Sequence, residues 1–178
     1  MTKEEIFSRE ISLIGHESFD KLQAARVAVI GLGGVGGAAF SALVRAGVGH
    51  IVACDCDRFE VSNLNRQMLA TAQTIGVDKC TAAADFAHQI DPECDCTALN
   101  LRVAPENIGE IFASSPQWVV DCVDNVTAKL AIIEQCIKRD VKIISCMGTG
   151  NRLVPSFEIV DISKTAGSGC PLARVMRR

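Results

Sequence analysis

Short apolar runs alternate with longer amphipathic stretches along most of this chain. Residues 26–31, 50–54, 118–123 and 141–146 are near-continuous apolar stretches of strand length, rich in Val and Ile. That is the pattern of strands buried on both faces. Residues 97–103 alternate and predict another strand, and 157–162 predict an edge strand. Between these runs, 34–46, 76–90 and 126–139 read as helices, with Ala82, Ala83, Phe86 and Ile90 forming a helical stripe in the second. Residues 105–112 predict a short helix. Ahead of the first strand, 5–23 read as a helical arm that carries Arg9 and breaks near Gly15. The segment 58–74 is polar and long for a simple connection, and such loops at strand ends tend to carry function. The alternation predicts an α/β fold: one doubly wound, mostly parallel sheet, read as a single domain over 1–178 with the arm in 1–25. No repeat, linker or low-complexity tract interrupts it.

The turn after the first strand reads Gly31-Leu-Gly-Gly-Val-Gly36, a G-x-G-x-x-G that runs from a strand into a helix. Gly31 permits the tight turn, Gly33 leaves backbone open to a phosphate, and Gly36 lets the helix pack on the sheet. The helix start offers unpaired N–H groups and partial positive charge to an anion. Asp55 ends the second strand at the spacing of an acid that accepts from ribose hydroxyls. Together they predict a Rossmann-like nucleotide-binding unit. A glycine-rich packing turn would explain the glycines alone but leaves Asp55 without a role.

Composition narrows the class. At 178 residues, 48% apolar and 22% charged, the chain can bury a substantial core. A net charge of −3 argues against a surface that coats nucleic acid generally, though not against a local basic patch. The start is charged, with no apolar signal region, and no run is long enough to span a bilayer. Nine cysteines without a secretory signal point to a reducing, cytoplasmic setting. None forms a C-x-x-C, so a paired zinc ribbon is not expected. The C-x-C pairs Cys54/Cys56 and Cys94/Cys96, and the strand cysteines Cys122 and Cys146, read as core residues.

Several polar residues sit where a nucleotide would lie. Asn63, Asn65, Arg66 and Gln67 put donors and a fixed charge beside the glycine turn, and Arg66 can clamp phosphates bidentately or simply be solvated. Lys79 falls in the first turn of a helix, against the dipole, which suggests another partner; a solvated surface lysine reads equally well. Asp124 follows an apolar strand in Asp121-Cys-Val-Asp-Asn125. It can hold Mg²⁺ on a triphosphate or cap the following helix. Asp121 reads as structural. No P-loop motif and no hydrolase triad spacing occur.

These motifs, with Asp55-x-Asp57, Ser62-Asn-Leu-Asn-Arg-Gln67 and Lys79, resemble the adenylating enzymes related to ubiquitin activation, over nearly the whole chain. Three stretches, Ser145–Leu153, Asp161–Thr165 and Cys170–Arg178, are most similar to the branch that dehydrates threonylcarbamoyladenosine in tRNA. The resemblance implies ATP and Mg²⁺ as cofactors, with a monovalent cation that no motif locates. It implies ATP contacts from Gly31, Gly33, Gly34, Gly36, Asp55 and Asp57, phosphate contacts from Asn63, Arg66 and Lys79, and Mg²⁺ on Asp124. Arg9 matches an arginine that reaches the phosphates, in some relatives from the partner subunit. The implied partners are tRNA carrying threonylcarbamoyladenosine, a second copy in a homodimer, and a sulfur-transfer protein. Related chains continue beyond the position of Arg178, so a shortened form is expected.

The implied chemistry is adenylation of a carboxylate, followed by ring closure onto it with net loss of water. An activator of a sulfur-carrier protein would share the ATP site but usually carries cysteine pairs for zinc. An NAD-dependent dehydrogenase explains the glycines and Asp55 but not Arg66 and Asp124. An idle nucleotide-binding or dimerisation module needs neither.

Overall fold

The computed structural model describes residues 1–148, 158–167 and 169–177. Five strands form one parallel sheet in the order β3-β2-β1-β4-β5: β1 Arg26–Ile30, β2 His50–Cys54, β3 Asp95–Leu99, β4 Trp118–Asp121 and β5 Lys142–Ser145. Helices α4 (Gly34–Arg45), α5 (Lys79–Ile90) and α6 (Val126–Lys138) connect or follow them. The strand order reverses direction at β1, so the crevice between the carboxyl ends of β1 and β4 is the switch point where ligands bind in such sheets.

Both faces of the sheet are covered at β1, β2 and most of β4, as their apolar runs require; the run at 141–146, expected to be buried as well, is instead the edge strand β5, with Lys142 and Ile144 exposed on one face. Val27 and Val29 point into one core with Phe40, Val44, Ile51 and Ala83. Ala28 and Ile30, one residue out of phase, point into the other with Val52, Ile111, Val119 and Ile132. The first core lies under α4 and α5, and the second under α6 and the 3-10 helix Ile108–Ser114.

The arm comprises α1 (Lys3–Ile6), α2 (Ser8–Ile14) and α3 (His16–Gln23), broken at Gly15 with φ +79°. Phe7 packs on Phe19 at 5.2 Å between ring centroids. Phe19 in turn abuts Gly47, where an added Cβ would come within 2.6 Å of its ring. Lys3 Nζ lies 3.7 Å from Asp91, just past α5. These anchors sit at the amino-terminal side of the sheet. No described helix is long and apolar enough to cross a membrane.

Several elements differ from expectation: the helix expected at 105–112 is the 3-10 helix Ile108–Ser114, and the strand expected at 118–123 ends at Asp121. The strand expected at 97–103 occupies Asp95–Leu99 instead, because its partner β2 starts opposite Asp95 and ends opposite Leu99. The helix expected from 76 starts at Lys79, since Gly76 adopts φ +82°. The edge strand expected at 157–162 is absent from 158–162. There the Asp161 carboxylate accepts from Ser163 N at 2.9 Å and starts the 3-10 turn Ile162–Thr165; residue 157 lies outside the described residues. A last short helix, α7, spans Pro171–Met176.

Candidate active site

The glycine turn closes at the switch point. Gly31 adopts φ +86°, and an added Cβ would stand 3.0 Å from the backbone of Cys122 at the end of β4. A Cβ on Gly36 would sit 1.7 Å from Gly31 O, so only glycine lets α4 begin this close to β1. Gly33 is different: the nearest atom to its virtual Cβ is Gln67 Nε2 at 3.9 Å, which leaves that face of the turn open. Beside Gly34 runs the backbone of Arg66, at 3.5 Å by the same measure.

Helix α4 starts at this opening without a side-chain cap. Its first closing bond runs from Gly37 N to Gly33 O at 2.9 Å. The N–H groups of Gly34, Val35 and Gly36 therefore point outward at the positive end of the helix. Gln67, 92% buried beside them by its 8% exposure, has an Oε1 with no hydrogen-bond partner among the described residues.

Asp55 holds the other side of the turn. Its Oδ2 accepts from Leu32 N at 2.7 Å and its Oδ1 from Asp57 N at 2.8 Å. The carboxylate thus fixes both the glycine turn and the start of the next loop, with one further lone pair on each oxygen. Asp57 lies 3.3 Å from Lys79 Nζ through Oδ2, and its carbonyl accepts from Lys79 N at 2.9 Å. This is the partner suggested by a buried lysine in a helix's first turn. Asp55, Cys56 and Asp57 bring three possible metal-ligand atoms within 4.8 Å of one another. The carboxylates are already engaged by backbone N–H groups and Lys79.

Asn63 is buried and turned into its own loop, where its Oδ1 accepts from Glu60 N at 3.1 Å. Arg66 is exposed and donates to Ser62 O at 2.7 Å and Asn65 Oδ1 at 3.0 Å. Asp124 is exposed and makes no hydrogen bond or ion pair among the described residues. The helix cap it was a candidate for is Asn125, whose Oδ1 accepts from Ala128 N at 3.0 Å. Arg9 is exposed on α2, and its neighbours Lys3 and Phe7 tie that part of the arm to the opposite, amino-terminal side of the sheet. The structure therefore gathers Gly31, Gly33, Gly34, Gly36, Asp55, Asp57, Arg66 and Lys79 around the turn, and leaves Arg9 away from it.

Two features escaped the sequence reading. The first is Lys129, wholly buried, with Nζ 2.8 Å from Asp121 Oδ2 and 3.3 Å from Ser145 Oγ. Ser145 also donates to Asp121 at 2.6 Å, so β4, β5 and α6 are tied together beneath the crevice. A signal existed: Lys129, Ile132 and Cys136 fall at i, i+3 and i+7 on the buried stripe of α6. The second is the pair Cys122 and Cys146. Neither belongs to the core, as had been expected; both are half-buried at strand ends, with sulfurs 3.7 Å apart. The Cys122 S–H and the Lys129 ammonium hold the Cys146 thiol below its ordinary value, against burial that pushes it up.

This arrangement has counterparts among known proteins. The tRNA threonylcarbamoyladenosine dehydratase of Bacillus subtilis is 38% identical over 172 residues, a match that covers 96% of this chain and 67% of that protein. The Escherichia coli protein of the same name is 32% identical over 172 residues and is covered over 63% of its length. The chain thus spans about two thirds of the relatives it matches. The solved structure of E. coli tRNA N6-threonylcarbamoyladenosine dehydratase, TcdA, in complex with ATP superposes with a TM-score of 0.93 at 31% identity, over 98% of this chain and 71% of that one. The glycine turn, Asp55 and the polar loop all lie within residues 7–165, which match the ThiF family pattern, and the chain belongs to that family.

Proposed function

We propose that this chain adenylates the carboxylate of threonylcarbamoyladenosine in tRNA and promotes its cyclisation. A carboxylate oxygen attacks the α-phosphorus of ATP and pyrophosphate leaves. The carbamoyl group then attacks the activated acyl carbon and loses a proton, and AMP departs. Across both steps the tRNA loses one water. A carboxylate alone cannot do this, because oxide is too poor a leaving group.

The observation that carries the reading is the uncapped start of α4 at an open Gly33. Its chemistry suits a phosphate chain whose oxygens take the N–H groups of Gly34, Val35 and Gly36. Asp55 would take the ribose hydroxyls on its remaining lone pairs. Lys79, held by Asp57, would reach the phosphates from below. Arg66 would leave Ser62 O to clamp them, and Asn63 would support that loop. Mg²⁺, when bound, offsets the charge on the phosphates, and Asp124 is a free, hard oxygen donor suited to hold it. The enzyme's contribution is to position the reactants and neutralise charge.

Arg9 would act from a second copy in a homodimer, since the arm is anchored on the far side of its own sheet. Adenylation of a sulfur-carrier protein is the alternative that shares this ATP site; the relatives matched over nearly the whole chain favour tRNA. The variant that tests the role of Asp124 is Asp124→Asn. It leaves the Asn125 cap in place and should retain ATP binding while losing cyclisation of threonylcarbamoyladenosine tRNA. Cyclisation at the unsubstituted rate would remove Asp124 from the mechanism.

A further inference from the structure

Cys122 and Cys146 directly follow a paired position in the sheet, Asp121↔Ser145, on neighbouring parallel strands. Cys146 N donates to Asp121 O at 2.8 Å, which continues the β4–β5 ladder to its end. Adjacent strands lie about 4.8 Å apart, within the Cα separation that a disulfide accepts. The two sulfurs are already 3.7 Å apart and face each other. Closing from there to the bonded distance of about 2.05 Å draws the two strand ends toward each other. Both are half-buried, unlike Cys54, Cys80, Cys94 and Cys136, which are sealed in the protein.

The pair also forms part of the wall of the glycine turn. Cys122 carbonyl oxygen and carbon stand 3.0 Å from the virtual Cβ of Gly31. Cys122 Cβ stands 3.1 Å from that of Gly36. The Cys122 backbone and Cβ thus border both glycines, so a shift of this strand end on cross-linking is passed to the turn.

We propose that Cys122 and Cys146 are a reversible peroxide-sensitive dithiol whose oxidation weakens nucleotide binding at the adjoining turn. One thiolate attacks a peroxide oxygen, which yields a sulfenic acid and, after protonation, water. The other thiol condenses with the sulfenic acid, forming the S–S bond and releasing a second water. The balance is two thiols and one hydrogen peroxide to one disulfide and two waters. A thiol reductant reverses it by exchange. Disulfides in reducing compartments are typically transient ones of this kind. The effect on binding rests on the nucleotide site proposed above; the disulfide itself does not.

The test treats the reduced protein with hydrogen peroxide, maps its disulfides by peptide mass spectrometry, and measures ATP affinity by calorimetry before and after. The expected result is a cross-linked peptide joining Cys122 and Cys146, reversed by dithiothreitol. ATP affinity should fall by about fivefold or more, the lower range of coupling between linked sites. Cys146→Ser should show neither change. Absence of the 122–146 link in the oxidised wild-type protein overturns the inference, and so does a link that leaves ATP affinity unchanged. If the reduced protein itself does not bind ATP, the nucleotide reading of the turn fails, and the disulfide map alone then decides whether the dithiol exists.

Discussion

Lys129 and Asp121 form an ion pair 2.8 Å long with neither side chain reaching solvent. Ser145 and Val123 N supply the carboxylate with further donors at 2.6 and 3.2 Å, which offsets part of the cost of burying it. The pair lies directly beneath the strand ends that carry Cys122, Asp124 and Cys146. It fixes the floor of the crevice rather than its chemistry.

Removing one partner should therefore cost stability more than activity per folded molecule. Lys129→Met leaves a buried carboxylate unpaired and is expected to destabilise the fold by about 3–5 kcal/mol. Pairing it with Asp121→Asn should recover a large part of that loss. Urea denaturation of the single and double variants measures both values, and equal stability of Lys129→Met and wild type would mean the pair contributes nothing.

Gly33 and Gly36 separate packing from ligand approach. A Cβ at Gly36 collides with the carbonyl of Gly31 at 1.7 Å, with only backbone to give way, so Gly36→Ala should melt well below wild type. At Gly33, among the described residues, nothing but Gln67 Nε2 lies within 4 Å, so Gly33→Ala should melt near wild type. It should still bind ATP more weakly, because the methyl group stands where a phosphate would approach. Thermal melting and calorimetry on both variants check this, and undiminished ATP affinity in Gly33→Ala would move the phosphates elsewhere.

Asp55 has two kinds of task, holding backbone at Leu32 N and Asp57 N and accepting from ribose. Asp55→Ala loses both, and ATP affinity should fall about tenfold or more, in line with the ~1.5–3 kcal/mol of hydrogen bonds to a charged group. Asp55→Asn keeps an oxygen for Leu32 N and should lose less. Calorimetry giving the two variants the same affinity would assign the whole effect to the ribose.

The local parts of this site were legible in the sequence because local rules govern them. Gly31, Gly36 and Asp55 follow from the geometry of a strand, a turn and a helix within one stretch of chain. Strands β1, β2 and β4 are apolar runs because both faces are buried over most of their length, whereas β5, equally apolar, is an edge strand with Ile144 exposed. What was hidden depends on distant pairing. Cys122 and Cys146 meet only because β4 lies beside β5, and Asp121, Lys129 and Ser145 converge from three elements. The limits of β3 are set by the length of β2, not by its own alternation. At Asp161 a side-chain bond to Ser163 overrode an apolar alternation that suggested a strand.

The most direct test of the account is isotope exchange between pyrophosphate and ATP. Exchange should appear when tRNA carrying threonylcarbamoyladenosine is added, and unmodified tRNA or a sulfur-carrier protein should not elicit it. It should vanish in Asp124→Asn. Exchange elicited by the carrier protein instead would assign the site to the alternative activation. Absence of any exchange with the modified tRNA, in a protein that binds ATP, would contradict adenylation as its chemistry.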